Sequence, residues 1–212
     1  MKLPENEPRK RDKNKSKKQF LNAVGHILKT KGYTALKVNT IAETAGLDKK
    51  LIYKYFGGRE ELIDEYLRTF DFWSNVQMQN EVLNDGGEAF VKEMLVQQYD
   101  YMDKNDALQN ILLWGISEKK QALKNINDER ERNGELLLQN LTDPYFGEKA
   151  VEFRAFSALL VSGVYYLNMY KGVNGNTFSG IDLTTQEGAN QIKNILVKVI
   201  DLFYKDFNQN NS

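Results

Sequence analysis

The chain has 212 residues, no cysteine and a single histidine, His26. Without thiols there is no disulfide and no thiolate nucleophile or metal ligand, which suits a reducing, cytoplasmic compartment. One imidazole cannot supply the ligand set of a zinc site. A nucleophilic triad would have to run through His26, and His26 falls on an amphipathic helical stretch where a surface role is expected. Nowhere do 18 apolar residues follow one another, so no membrane span is expected. The first residues are charged with no apolar stretch behind them, so no secretory signal is expected either. Strand-like alternation is missing, and the fold class read from the pattern is all-α.

Charge is balanced in total but not in place. Residues 1–58 hold 14 Lys/Arg against 5 Asp/Glu, and residues 59–212 hold 15 against 24. A basic head on an acidic body implies that only the head meets a polyanion. Much of the excess lies in Arg9, Lys10, Arg11, Lys13, Lys15, Lys17 and Lys18, which a solvated tail would also explain. Lys49, Lys50 and Lys54 lie elsewhere, on a short helical segment.

Residues 1–15 are polar and charged, contain Pro4 and Pro8, and are expected to be a disordered basic arm. Ser16-Lys17-Lys18-Gln19 matches a capping box, followed by Phe20, Val24, Ile27 and Leu28 as one apolar stripe. Gly32 closes that helix. Residues 38–58 read VNTIAETAGLDKKLIYKYFGG, two short helices joined by a turn. Ala42 allows a close crossing, Gly46 permits the positive backbone angle, and Leu47 returns to the core. Asp48 is a good N-cap for the second helix. Ile52, Tyr55 and Phe56 then face inward and Lys49, Lys50, Tyr53 and Lys54 outward. Such a helix is about 12 Å long and matches a major groove about 12 Å wide. Beyond Gly58 a helix is expected from Arg59 to about Leu83, broken by Asp85-Gly86-Gly87, and then helices over 88–103, 106–116, 118–141, 147–171 and 184–207. The domains are accordingly 1–15 (arm), 16–58 (helix-turn-helix) and 59–212 (helical body).

The ordered string Ile41-Ala42-x-x-Ala45-Gly46-Leu47, Leu51-Ile52-Tyr53-Lys54-Tyr55-Phe56 and Arg59-Glu60-Glu61-Leu62 resembles the TetR family of bacterial transcriptional regulators. The resemblance is specific over the first sixty residues; beyond them it extends only to helical character and length. It implies a cytoplasmic homodimer, with a three-helix head on double-stranded DNA and a body that dimerises and binds a small-molecule effector, and it implies no cofactor. Repression is the mode of regulation it carries by default. On matching positions Thr40, Asp48, Lys49, Lys50, Tyr53, Lys54, Tyr55 and Arg59 form the DNA-binding set. Two positions depart from the family pattern. Lys37 stands where a capping Ser or Thr is usual, so either Asn39 caps the first short helix one turn later or that helix starts uncapped. Gly58 replaces the more usual cap of the following helix.

The body is rich in aromatics, among them Phe70, Phe72, Trp73, Tyr99, Phe153, Tyr165 and Tyr170, with Met78, Met102 and Met169. Core packing explains most such patterns. If a pocket lies between the helices, Met94, Gln98, Tyr101, Trp114, Phe156 and Tyr166 are the lining candidates, for an apolar or aromatic compound. Dimerisation is expected on the last two long helices, through Phe156, Leu160, Val164, Leu167, Ile192, Ile195, Val199 and Phe203. Besides a protein-interaction adaptor that reuses the fold, against which the three lysines argue, two alternatives stand beside this reading. One is a DNA-binding protein of the same fold without ligand control. The other is an enzyme using carboxylates of the body such as Asp100 and Asp103, which look instead like solvated helix faces.

Overall fold

The computed structural model describes residues 7–69 and 85–210. The fold is all-α and divides into two compact units, one formed by residues 1–71 and 110–127, the other by 72–109 and 128–212.

The first unit is the head. Helix α1 (Glu7–Lys31) is followed by a 3-10 turn (Tyr33–Ala35), then α2 (Val38–Ala45), α3 (Lys50–Phe56) and α4 (Arg59–Leu67). Helix α1 reaches back into the stretch expected to lack structure. Ser16 therefore does not cap it; its hydroxyl lies mid-helix and donates to the Asp12 carbonyl at 2.9 Å. The reason is local: proline in a first turn costs no hydrogen bond, and the lysines and arginines after Pro8 are good helix formers. Phe20, Val24, Ile27 and Leu28 of α1 are fully buried with Ile41, Ile52, Leu62 and Ile63. Ile111, Trp114 and Leu123 from the second stretch of this unit join the same core. Lys17 pairs with Glu65 at 2.9 Å and so links α1 to α4.

Gly25 makes room for that contact between helices. A Cβ built there would lie 2.7 Å from the Tyr66 hydroxyl and 3.1 Å from its ring. Tyr66 is 7% exposed, and burial pushes its phenol up to about 12. Replacing Gly25 by leucine is expected to destabilise the head by about 1–3 kcal/mol through overpacking, read as a lower urea midpoint at unchanged m-value.

The second unit is the body. It contains α5 (Glu88–Asp103), the start of α6 (Asp106–Ser117), most of α7 (Gln121–Leu141), the short α8 (Asp143–Phe146), α9 (Ala150–Val173) and α10 (Gln186–Asn210). Asp85 starts α5 by accepting from the Gly87 and Ala89 amides at 3.0 and 3.1 Å. Phe146, Phe153, Phe203 and Tyr204 build an aromatic cluster joining α8, α9 and α10. Residues 177–182, read as loop, hold a two-stranded hairpin pairing Thr177 with Asp182 and Phe178 with Ile181. Its central residues Ser179 and Gly180 have φ of 50° and 81°, the signs a tight two-residue hairpin needs. Strands of two residues are too short to show a period. The helix expected from Arg59 to Leu83 is described only as α4; its remainder, with Phe70, Phe72, Trp73 and Met78, lies outside the described residues.

Candidate nucleic-acid interface

Helix α2 starts without a side-chain cap. Lys37 precedes it in an extended conformation, and Asn39 serves another purpose: its Oδ1 accepts from the Lys49 ammonium at 3.2 Å. The helix ends on Gly46, φ 64° and ψ 32°. There the Gly46 and Leu47 amides donate to the carbonyls of Glu43 and Ala42, both at 3.1 Å. Alanine at Gly46 would carry a Cβ into a left-handed conformation. The expected cost is about 1–2 kcal/mol, measurable by denaturant melting.

Asp48 then turns the chain into α3. Its Oδ1 accepts from the Lys50 amide at 2.8 Å, and its carbonyl accepts from Leu51 at 3.0 Å. The carboxylate is thus engaged in capping, which separates Asp48 from the cationic members of the DNA-binding set. On α3, Ile52 is fully buried while Leu51, Tyr55 and Phe56 pack half-buried against the head core. Lys49, Lys50, Tyr53 and Lys54 face solvent, with Tyr53 55% exposed. The inward and outward residues are those the sequence separated. Two cations of α1 lie over the inner aromatics: Lys13 is 5.8 Å from the Tyr55 ring and Lys17 4.7 Å from the Phe56 ring. These contacts hold α3 from behind. Among the described residues, Lys50 and Lys54 make no ion pair.

Thr40 is half-buried on α2. Arg59 opens α4 half-buried. Its Nε donates to the Leu36 carbonyl at 2.5 Å and its Nη1 pairs with Glu60 at 2.8 Å. At least part of this guanidinium fastens α4 to the loop before α2. The outward surface of α3, with Lys49 just before it, therefore carries three ammonium groups and a phenol, and α3 itself has no acidic residue.

The ligand candidates do not form one contact group. Met94 and Gln98 are buried on α5 and Tyr101 is half-buried there. Phe156 belongs to the aromatic cluster, stacked on Phe203 at 4.7 Å. Tyr166 is 51% exposed, edge-on to Phe178. Trp114 belongs to the head core, where it stacks on Tyr33 at 5.1 Å. The sequence left Arg130 unmarked and placed Tyr165 only among the body aromatics, yet their contact joins α7 to α9. Arg130 stands in the charged run DERER, where nothing in the spacing marks an inward residue.

The dimer candidates also divide. Val164 is 1% exposed and packs with Tyr99 and Leu196 in its own subunit, which takes it out of an interface. Phe156, Leu160, Ile192 and Phe203 lean on the same cores. Leu167 and Val199 are half-buried, and Ile195 is 47% exposed. The open apolar strip is instead Val151, Leu159 and Tyr166 on α9 with Ile195 and Leu202 on α10. The segment 143–173 is long and apolar enough to cross a membrane by composition alone, and only 11% of its most apolar window is buried.

Residues 26–66 match the family model of bacterial regulatory proteins, tetR family, so the match lies inside α1–α4. Across 182 residues, 79% of this chain and 82% of the other, the sequence is 23% identical to an uncharacterized HTH-type transcriptional regulator of Bacillus subtilis, YfiR. The fold is similar to NalD, the secondary repressor of the MexAB-OprM multidrug efflux pump in Pseudomonas aeruginosa, with TM-score 0.53 and 15% identity over 88% of this chain and 96% of that one.

Proposed function

We propose that this chain, a TetR-family helix-turn-helix transcriptional regulator and not an enzyme, acts in the cytoplasm as a homodimeric repressor whose hold on a two-fold operator is loosened by a small molecule in the body. The observation that carries the DNA reading is α3: buried Ile52 and the Asp48 cap fix it, and Lys49, Lys50, Tyr53 and Lys54 are left facing outward. Ammonium groups pair with phosphates and release counterions; lysine can also donate to guanine O6 and N7. Two copies related by a two-fold axis call for half-sites about one helical turn apart, or a multiple of that. Repression is carried over from the family resemblance and from NalD, which is a repressor.

Control by a ligand follows from linkage. A compound that binds the DNA-free dimer more tightly than the operator-bound one weakens operator binding by the same factor. The scatter of the pocket candidates favours the alternative in which the body is simply a filled dimerisation unit. Selection from random duplexes, followed by gel shifts across a small-molecule library, separates the two. The expected result is a pseudo-palindromic site whose affinity falls steeply between 50 and 200 mM salt, in the range of roughly 10³ for about six phosphate contacts. Release by at least one compound is expected; operator affinity indifferent to every body-binding compound would leave the ligand-independent alternative.

A further inference from the structure

Among the described residues the body pairs most of its half-buried cations with carboxylates, while Lys149 lies over the Phe207 ring at 5.7 Å. Lys92 sits between Glu88 and Asp201, Arg154 lies on Asp143, Lys171 on Asp103, and Lys193 on Asp100 at 3.0 Å. Arg130 of α7 also departs from this pattern. Among the described residues its guanidinium meets no carboxylate. Its Nη2 donates to the Tyr165 hydroxyl on α9 at 2.5 Å, its central carbon lies 5.2 Å from the Tyr165 ring centroid, and its Nε is buried with no partner.

Gln98 of α5, 2% exposed, donates to the same hydroxyl at 2.5 Å. Two donors therefore converge on one phenolic oxygen, and among the described residues nothing accepts its own proton. Burial, the larger cause, together with the Glu131 charge holds this phenol above its usual pKa, against the opposing pull of Arg130 and Gln98. Tyr165 thus stays protonated near neutrality and remains a donor. Two more buried polar atoms, without a partner among the described residues, lie on this side of α9: Ser157 Oγ, two turns before Tyr165, and Asn168 Oδ1, one turn after. Arg130 is half-buried, but its Nε–H is buried, and a buried donor that has no acceptor among the described residues is costly unless an anion completes it. The spare donors are Arg130 Nε–H and Tyr165 O–H, and an oxyanion accepts from both. Met94 lies one turn from Gln98, and Val161 and Met169 one turn either side of Tyr165, which sets apolar side chains beside these polar atoms.

We propose that Arg130, Tyr165 and Gln98 form the anion-recognising end of a small-molecule site in the body, which takes a carboxylate carried on an apolar frame. This rests on the effector-binding reading above and names the chemical class of that effector.

The test uses the full chain and three pairs of probes, each an acid beside its amide: benzoate and benzamide, 2-naphthoate and 2-naphthamide, decanoate and decanamide. Calorimetric and thermal-shift titrations are expected to show at least one acid binding tenfold or more tighter than its amide. Arg130→Gln should bring that acid down to its amide. Arg130→Lys, which keeps the charge but loses the planar fork, should fall between. Tyr165→Phe should weaken the acid several-fold, with circular dichroism and ligand-free operator binding unchanged. Equal binding of acid and amide in every pair, or an acid preference surviving both Arg130 variants, overturns the inference. Neutral compounds that release operator while acids gain nothing sink this inference and leave the proposed function standing. Acids that bind through Arg130 without altering operator affinity support the site and sink the effector reading.

Discussion

Exchanging Lys49, Lys50 and Lys54 together for glutamate is expected to abolish duplex binding at physiological salt and to leave the fold nearly unchanged. The three side chains are exposed, and among the described residues their ammonium groups make one hydrogen bond, from Lys49 to Asn39. Surface exchanges of this kind stay within about 0.5 kcal/mol each. On DNA the arithmetic is different. A dimer presents six of these ammonium groups, and each phosphate contact contributes about 0.9 to the slope of log affinity against log salt. Removing six takes about 5 from that slope, and the new carboxylates add repulsion, so a loss of at least about a thousandfold follows. Fluorescence anisotropy of a selected operator against sodium chloride measures it. Single alanines then sort the contacts. A lysine on phosphate weakens all sequences alike and lowers the slope by about two per dimer, whereas one on a base edge relaxes preference at one base pair by about 1–3 kcal/mol. A triple variant that still binds duplex with a steep salt dependence would place the contact surface elsewhere.

The head was legible in the sequence because each of its local rules agrees with the tertiary answer. Asp48 is a cap by type and caps in fact; Gly46 reads as a left-handed turn and has φ 64°; Ile52 falls on the buried phase of a period-3.6 stripe. Where a residue had two good uses, the sequence could not choose. Ser16 fits a capping box, yet the lysines and arginines before it also favour helix, and α1 runs through it to Glu7. Val164 and Leu159 are both apolar residues of α9, and only the position of Tyr99 and Leu196 makes one of them core and the other surface. Trp114 fits a pocket by type, and its partner Tyr33 is more than eighty residues earlier in the chain. Arg130 was hidden for the opposite reason: four of the five residues in its run DERER are exposed, and nothing local signals that this one turns inward.

Lysine at both Leu159 and Leu202 is expected to leave the protein folded, monomeric and weak on DNA. These side chains are 74% and 54% exposed within one subunit, so each subunit can solvate the new ammonium groups at little cost. A dimer built on this strip would have to bury four of them, with an effective penalty of about several kcal/mol per ion. The strip has the form of an isologous interface. Val151, Leu159 and Tyr166 recur on one face of α9, and Ala155, Ala158 and Ser162 between them let a second helix approach closely. Stacking of Phe156 on Phe203 ties α9 to α10, which adds Ile195 and Leu202. Loss of the proposed dimer would carry over to DNA, because its second head would bind its half-site as an intramolecular event. Avidity of that kind is worth about 10²–10⁴ in affinity, and the monomer forfeits it without any change at α3. Light scattering coupled to size exclusion reads the mass, and anisotropy on a full operator and on a single half-site reads the affinity. The double variant should bind both DNAs alike, as the parent binds the half-site. Lysine at buried Val164 is the contrasting control, since it should unfold the body instead of dissociating it. A double variant that remains dimeric would move the interface off this strip, and a monomer that keeps full operator affinity would remove the need for a dimer at all.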